Sequence, residues 1–334
     1  MADYKATAAQ LASIANAIRL KGGTSAALEY PSEWITAIQN LVPASGGSEI
    51  TPADPTLEYK VTDTELISIA NAIRTKGGTS LQLEFPSEFV TAIQNIPAPT
   101  PPIEIVSWSA GTDAQIVALL QAAHNGDIDL QQDVGWAIGD VRSISISAFS
   151  AGGGVSVPAQ NVDIVISSFD DYNLCGCVMQ FDFKDCLSQS IRMDSQNTNI
   201  NGWANSEMKN ITLPALVNAL PTWLKNMLIE FSCLTSAGNK SSAIVSSSGK
   251  LALRSEIEIF GSTTQSASGE GVLIPYYNST ARRQKKLGHS GSDNAWYERS
   301  PCIARTSACY VNANGEADYG NTSGARGVAP FGCI

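Results

Sequence analysis

The feature that most constrains this chain is a duplication with an offset of 55 residues. Residues 11–41 read LASIANAIRLKGGTSAALEYPSEWITAIQNL and residues 66–96 read LISIANAIRTKGGTSLQLEFPSEFVTAIQNI. Each copy parses as two short helices. In the second copy, Thr62 and Glu65 have capping-box spacing, which lets hydroxyl and carboxylate satisfy orphan amides at a helix start. Leu66, Ile69, Ala70 and Ile73 then fall on one helical face, and Gly77-Gly78 supplies the left-handed stop. An extended link carries Leu83 and Phe85 to Pro86, which sits where a first-turn proline belongs. A second stripe follows as Phe89, Val90, Ile93 and Ile96. The first copy repeats these stripes as Leu11, Ile14, Ile18, Trp34, Ile35, Ile38 and Leu41.

A unit of roughly 35–40 residues buries too little surface to stand comfortably alone, so these stripes require partners. The two copies can pack on each other as one bundle, or each can dock elsewhere. The intervening segment favours docking or oligomerisation, because Pro43-Ala-Ser-Gly-Gly-Ser48 with Pro52 and Pro55 mixes flexible and stiff elements like a spacer. Pro97-Ala-Pro-Thr-Pro-Pro102 reads as an extended, polyproline-like connector. The expected organisation is helical repeats at 5–42 and 60–97, a linker at 43–59, a Pro-rich spacer at 98–107 and a larger domain at 103–334. Leu11, Ile14, Ile18, Trp34, Ile38, Leu66, Ile69, Ile73, Phe89 and Ile93 are the expected anchoring or oligomerisation residues.

From Ile103 onward the texture changes to short β-type runs broken by Gly, Ser and Asn. Strands are expected at Ser143–Phe149, Asn161–Ser168 and Met179–Phe183, and in the alternating segment Glu256–Phe260. A helix is expected over Asp113–Asn125, and another from Asn210 to Leu228, broken by Pro214 and Pro221. The fold class is therefore α+β: two small helical-hairpin modules, then a domain of short mixed strands with two main helices. Asn314-Gly315 between extended residues signals a hairpin. A two-residue turn would pair Tyr310 with Tyr319 but would put Asp318 on the Val311 face. A bulge or a longer turn therefore stays open.

A net charge of −10 opposes nucleic-acid binding, and Arg282-Arg283 with Lys285-Lys286 reads as a solvated loop or helix end. No run approaches the ~18 apolar residues that span a bilayer, so no membrane insertion is expected. The opening residues lack the pattern of a signal peptide, which implies synthesis in a cytoplasm without that export route. Seven cysteines at irregular spacings read as buried free thiols, and two histidines give no expected metal site or cofactor. Asp163, Asp170, Asp171 and Asn173 offer oxygen ligands, but without EF-hand spacing.

Gly202-Trp203, the helix ending near Leu228, the W-x-x-R-S-P stretch (Trp296, Arg299, Ser300, Pro301) and the closing Gly327-Val328-Ala329-Pro330 together resemble a C-terminal domain. That domain occurs in many bacteriophage and prophage proteins of gut Firmicutes. It is similar to the C-type-lectin-like fold of the formylglycine-generating-enzyme branch. Trp108, Gly111, Thr112, Asp113 and Ile116, with the run Val134 to Arg142, match its N-terminal part, so the resemblance covers about two-thirds of the chain. The IANAIR-x-KGGTS repeat likewise resembles N-terminal segments of phage tail and virion proteins.

The resemblance extends to variable proteins of diversity-generating retroelements. It implies a framework of Trp296, Arg299-Ser300-Pro301, Val311, Gly315 and Gly327 to Pro330. It further implies ligand-binding positions at Tyr297, Glu298, Arg305, Ser307, Tyr310, Asp318, Tyr319, Asn321 and Arg326. The expected function is that of a phage adhesin on the virion surface. The repeats would hold capsid or tail proteins, and the C-terminal domain would meet a bacterial cell-surface protein or glycan. A homo-oligomer is expected, a trimer by analogy with phage fibres. A structural decoration protein is the alternative. An enzyme of the formylglycine-generating or glycan-processing kind is a weaker one, since Cys302 and Cys309 align with no catalytic pair, and no catalytic residue is expected.

Overall fold

The computed structural model describes residues 3–20, 32–39, 58–77, 83, 87–96, 103–169, 176–289 and 291–334. The linker from Pro43 to Pro55, the Pro97–Pro102 connector, Gly78, Phe85, Pro86 and the segment with Asp170, Asp171, Asn173 and Cys175 lie outside them. The chain forms two compact units, 1–102 and 103–334.

In the first unit, β1 (Asp3–Thr7) leads into α1 (Ala8–Leu20), followed by α2 (Ser32–Gln39). The second copy repeats this as β2 (Glu58–Thr62), α3 (Asp63–Thr75) and α4 (Ser87–Gln94). A capping box starts α1: Thr7 N donates to Gln10 Oε1 at 2.8 Å and Gln10 N to Thr7 Oγ1 at 3.3 Å. Gly77, with φ +79°, ends α3 as its sequence implies.

The copies do not stand apart. β1 and β2 pair antiparallel, α1 packs chiefly on α4, and α2 on α3. Ile14, Ile18, Trp34 and Ile38 share one core with their counterparts Ile69, Ile73, Phe89 and Ile93, and Leu11 and Leu66 flank it. This corrects the expectation that the ten apolar candidates face an outside partner. Neither copy can cover its stripes alone, and the nearest complementary apolar face is its twin.

The second unit is mixed α and β. Its first helix, α5 (Asp113–His124), opens with a capping box between Thr112 and Gln115 and buries Ile116, Leu119 and Leu120. Strands β3 (Val141–Ile146), β4 (Gln160–Ser168) and β5 (Gln180–Phe183) follow, close to their expected positions. The Pro-interrupted helical region gives α6 (Leu213–Ala219) and α7 (Thr222–Met227). A long hairpin, β6 (Phe231–Gly238) and β7 (Ser241–Gly249), then leads to β8 (Leu251–Ala252). The expected strand at Glu256–Phe260 is instead a helix, α8, begun by a Ser255/Glu258 capping box and ended by Gly261 at φ +72°. Its alternating glutamates imitated a strand. They alternate because they are buried ligands of backbone amides and arginine.

Three further strands, β9 (Trp296–Pro301), β10 (Ala308–Val311) and β11 (Ala317–Gly320), form a small sheet. The closing β12 (Phe331–Cys333) enters the main antiparallel sheet, whose order is β8-β12-β5-β4-β3.

The sequence motifs meet in this unit. Arg142 donates to the carbonyls of Trp108 (2.9 Å) and Gly111 (2.8 Å) and to the Asp113 carboxylate (2.6 Å). A Cβ at Gly111 would come within 2.5–2.9 Å of the Val106 and Ile116 side chains, so any other residue there would force one of them to shift. Lys285 is fully buried with Nζ donating to the carbonyls of Phe183 and Lys184, so the basic cluster is not simply a solvated loop.

At the heart of the sheet Arg254 and Asp182 are both fully buried, with Nη2 to Oδ2 at 2.6 Å. Replacing Arg254 by Met strands the Asp182 charge and is expected to cost about 3–5 kcal/mol in denaturant unfolding of residues 103–334. Arg254→Met/Asp182→Leu should recover most of that loss, and a double variant as unstable as the single one would show that the pair is not coupled.

Candidate functional site

The predicted binding segment is built on the small sheet. Val311 pairs with Ala317, Tyr310 with Asp318 and Cys309 with Tyr319. Of the arrangements that the sequence leaves open, the longer loop is the one formed, and Tyr310 pairs with Asp318 rather than with Tyr319. Asn312 N donates to the Glu316 carbonyl at 2.8 Å and Gly315 N to the Asn312 carbonyl at 2.9 Å, leaving three residues in the loop. Gly315 alone takes positive φ (+80°), as the residue that closes a three-residue hairpin loop with a bulge. The longer loop removes the conflict between Asp318 and Val311.

Tyr310 lies opposite Tyr297 on β9 and Asp318 on β11, so these three share one face. Tyr310 Oη donates to Asp318 Oδ2 at 2.7 Å. The Arg326 guanidinium stands 4.0 Å from the centre of the Tyr310 ring, and its Nη1 donates to Tyr297 Oη at 3.0 Å. Asn321 is exposed, and its carbonyl accepts from both Tyr297 and Arg326. On the opposite face Tyr319 lies under Arg305, whose guanidinium is 5.1 Å from the ring centre, and Ser307 is half-buried nearby in sequence. The nine positions thus resolve into a Tyr310–Asp318–Asn321–Arg326 group, an Arg305–Ser307–Tyr319 group, and two residues that are not displayed.

Those two are corrections. Tyr297 is fully buried, its hydroxyl turned inward to the carbonyls of Asn321, Thr322 and Gly324. Glu298 is also fully buried, and among the described residues neither of its carboxylate oxygens has a hydrogen-bond partner. Both look like surface residues in a one-dimensional reading, because β9 is buried on both sides and lacks alternation.

The support beneath the sheet is polar and buried. Arg299 makes a bidentate pair with Glu258 at 2.5 and 2.7 Å and donates to the carbonyls of Leu253 and Glu270. Glu256 accepts from the amides of Thr264, Gln265 and Ser266, pinning that loop. Glu270 accepts from Ser300 Oγ and Ser236 N, yet burial still pushes it up to about 7. Burial, together with the neighbouring Glu256 and Glu270, holds Glu298 well above the usual carboxylate range despite Arg299.

Cys302 and Cys309 lie side by side as buried free thiols. The Cys309 thiol, donating to Cys302, draws Cys302 down to about 6 against the opposing effect of burial, and Cys309 is pushed up. Cys177, Cys186 and Cys233 are likewise buried free thiols, and Cys333 is buried as well.

A cleft of about 400 Å³, including its open mouth, lies beside β9, walled by Asp194, Asn199, Trp203, Ser300, Ala308 and Thr322 among others. None of the nine predicted positions lines it. Asn199 Nδ2 donates to the carbonyls of Cys302, Arg305 and Ser307, which fixes the loop that presents Arg305. Of this wall, the sequence drew attention to Gly202-Trp203 and to Arg299-Ser300-Pro301, the latter as framework. Asn199 acts across more than 100 residues, a separation that no local pattern signals.

The site thus belongs to an α+β domain with a small displayed sheet and an adjoining cleft of mixed lining. Residues 178–334, just under half of the chain and spanning sheet and cleft, match the model of a domain of unknown function, DUF6273. Neither curated proteins nor solved structures give a match.

Glu298 carries a signed pH dependence. Its folded pKa is raised, so the fold binds a proton that the unfolded chain releases above about pH 4.3. Stability should therefore fall as pH rises toward the folded pKa. Glu298→Gln removes that contribution, and its stability relative to the wild type should improve with pH between 5 and 8, by at most about 1.4 kcal/mol per pH unit. A difference independent of pH in denaturant titrations would mean that Glu298 is ionised in the fold.

Proposed function

We propose that the chain is a bacteriophage virion adhesin whose C-terminal domain, C-type-lectin-like in fold, binds a bacterial cell-surface protein or glycan. The observation that carries this reading is the half-buried Tyr310 held between the Arg326 guanidinium and the Asp318 carboxylate. Such a cluster offers aromatic area and charged hydrogen-bonding groups whose conformations are set before a ligand arrives, which lowers the ordering cost of binding. The Arg305–Tyr319 pair supplies a second contact on the other face of the same sheet.

Support for the fold comes from the motifs behind the resemblance. Trp108, Gly111 and Asp113 converge on Arg142, the Pro330 carbonyl accepts from Phe183 N at the end of β5, and the Val328 carbonyl accepts from Leu187 N just beyond it. In this proposal the N-terminal unit joins the chain to capsid or tail proteins through outward residues such as Ile67, which is 58% exposed. Many copies on one particle, or a homo-oligomer such as a trimer, would turn weak single contacts into strong attachment.

The test is saturable binding of the fluorescently labelled full chain to a panel of gut bacteria, with a charge-matched unrelated protein as control. Tyr310→Ala and Tyr319→Ala should each weaken binding about tenfold or more, as truncation of an interface anchor does. Arg305→Ala should weaken it with no change in Tm, since its side chain is exposed. Absence of binding to every strain, or binding that no variant alters, would favour a structural decoration protein.

A further inference from the structure

The N-terminal strands pair in a register that the duplication makes informative. Asp3 faces Thr62, Tyr4 faces Val61, Lys5 faces Lys60, Ala6 faces Tyr59 and Thr7 faces Glu58. With the 55-residue offset, Lys60 is the counterpart of Lys5, Thr62 of Thr7 and Glu58 of Asp3. The counterparts of two paired residues therefore also pair with each other, as Asp3–Thr62 maps onto Glu58–Thr7, and Lys5 faces its own counterpart. That is the pattern of an isologous, twofold contact.

The helices obey the same rule. α1 packs on α4 as α3 packs on α2, and the core residues come in counterpart pairs: Ile14 with Ile69, Ile18 with Ile73, Trp34 with Phe89 and Ile38 with Ile93. The two copies are related as the halves of a symmetric homodimer would be, within one chain.

We propose that the repeat is a self-pairing module: the face each copy presents is shaped for a second copy of itself, and the closed unit is the intramolecular form of a contact that can equally join two chains. Among the described residues the register and the pairs Ile14/Ile69, Ile18/Ile73 and Ile38/Ile93 read the same whichever copy supplies the partner, and Trp34 against Phe89 is a change of ring size within an aromatic position. What favours closure within the chain is the covalent link, which sets a high effective concentration of one copy around the other. A chain carrying one copy has no internal partner and pairs with another chain. This inference does not depend on what the C-terminal domain binds.

The experiment compares the full chain with a variant lacking residues 3–57, which keeps β2, α3, α4 and everything beyond. Light scattering on purified samples at equal concentration should give twice as many chains per particle for the one-copy protein. Ile73→Asp in that protein, which places a charge in the pairing face, should abolish the doubling. An unchanged number of chains per particle would overturn the proposal, whether the remaining copy is folded or not.

A second readout fixes the register. In a pair of second copies, position 60 faces position 60, and positions 58 lie about 13 Å apart along the strands. Lys60→Cys in the one-copy protein should then give a covalent dimer on a non-reducing gel when oxidised glutathione is added, two thiols becoming one disulfide with release of two glutathione thiols. Glu58→Cys should not. Equal cross-linking at both positions, or none at 60, would rule out the twofold register.

Discussion

The C-terminal unit is organised around a carboxylate that no water reaches. Asp182 sits on β5, inside the main sheet, where an unpaired charge would be prohibitively costly. Arg254, 72 residues further along, answers it with Nε and Nη2, and the guanidinium also bonds Gln180 and Ser167 and lies 3.6 Å from the centre of the Phe331 ring. Tyr277 adds its hydroxyl at 2.6 Å. Burial alone would raise the Asp182 pKa, and the Arg254 cation reverses that, so the carboxyl stays below its ordinary range. A bidentate guanidinium with this many partners admits one placement of the chain around residue 254.

That placement propagates. Ser255 follows at once as the cap of α8, and α8 delivers Glu256 and Glu258. Glu256 holds the 264–266 amides and Glu258 holds Arg299, the centre of β9. A continuous series of buried polar contacts therefore runs from the middle of the main sheet to the strand that backs the displayed tyrosines. Such contacts are poor sources of net stability compared with apolar packing, because each charge gives up hydration. What they fix is direction: hydrogen bonds specify angles, whereas apolar contacts tolerate sliding. Glu298, with no described partner, is where this polar interior is least satisfied, and it lies on the same strand.

This explains which parts of the molecule were legible beforehand. Elements specified by neighbours in sequence could be read: the paired helices of each repeat, α5 with its Thr112 cap, and strands β3 to β5. The helix α8 was misread because Glu-Ile-Glu-Ile-Phe alternates, although Ser255, Glu258 and Gly261 carried helix start and stop signals. β12 is three residues long and carries no periodicity. Arg254, Lys285, Tyr297 and Glu298 were beyond reach because residue type predicts exposure for each, and only distant partners overturn it. At the candidate site, composition and resemblance named Tyr310, Tyr319 and Arg326 but not the cleft wall around Asn199. The Asn-Gly signal located the hairpin but not its register, since one residue of loop length decides which side chains share a face.

The repeat raises a different question, why one chain should carry two copies of a face that suits itself. A single copy would leave its apolar stripe open to any equivalent stripe, and association would then depend on concentration. Two copies on one chain satisfy each other, and the outcome is a closed unit of fixed size. A linker that reads as a device for separation serves closure as well, because an antiparallel pair of copies needs slack to bring the second strand back against the first. Flexibility and proline content therefore do not distinguish a spacer from a closing loop. The difference lies in whether the two ends carry complementary faces, and here each end carries the complement of the other.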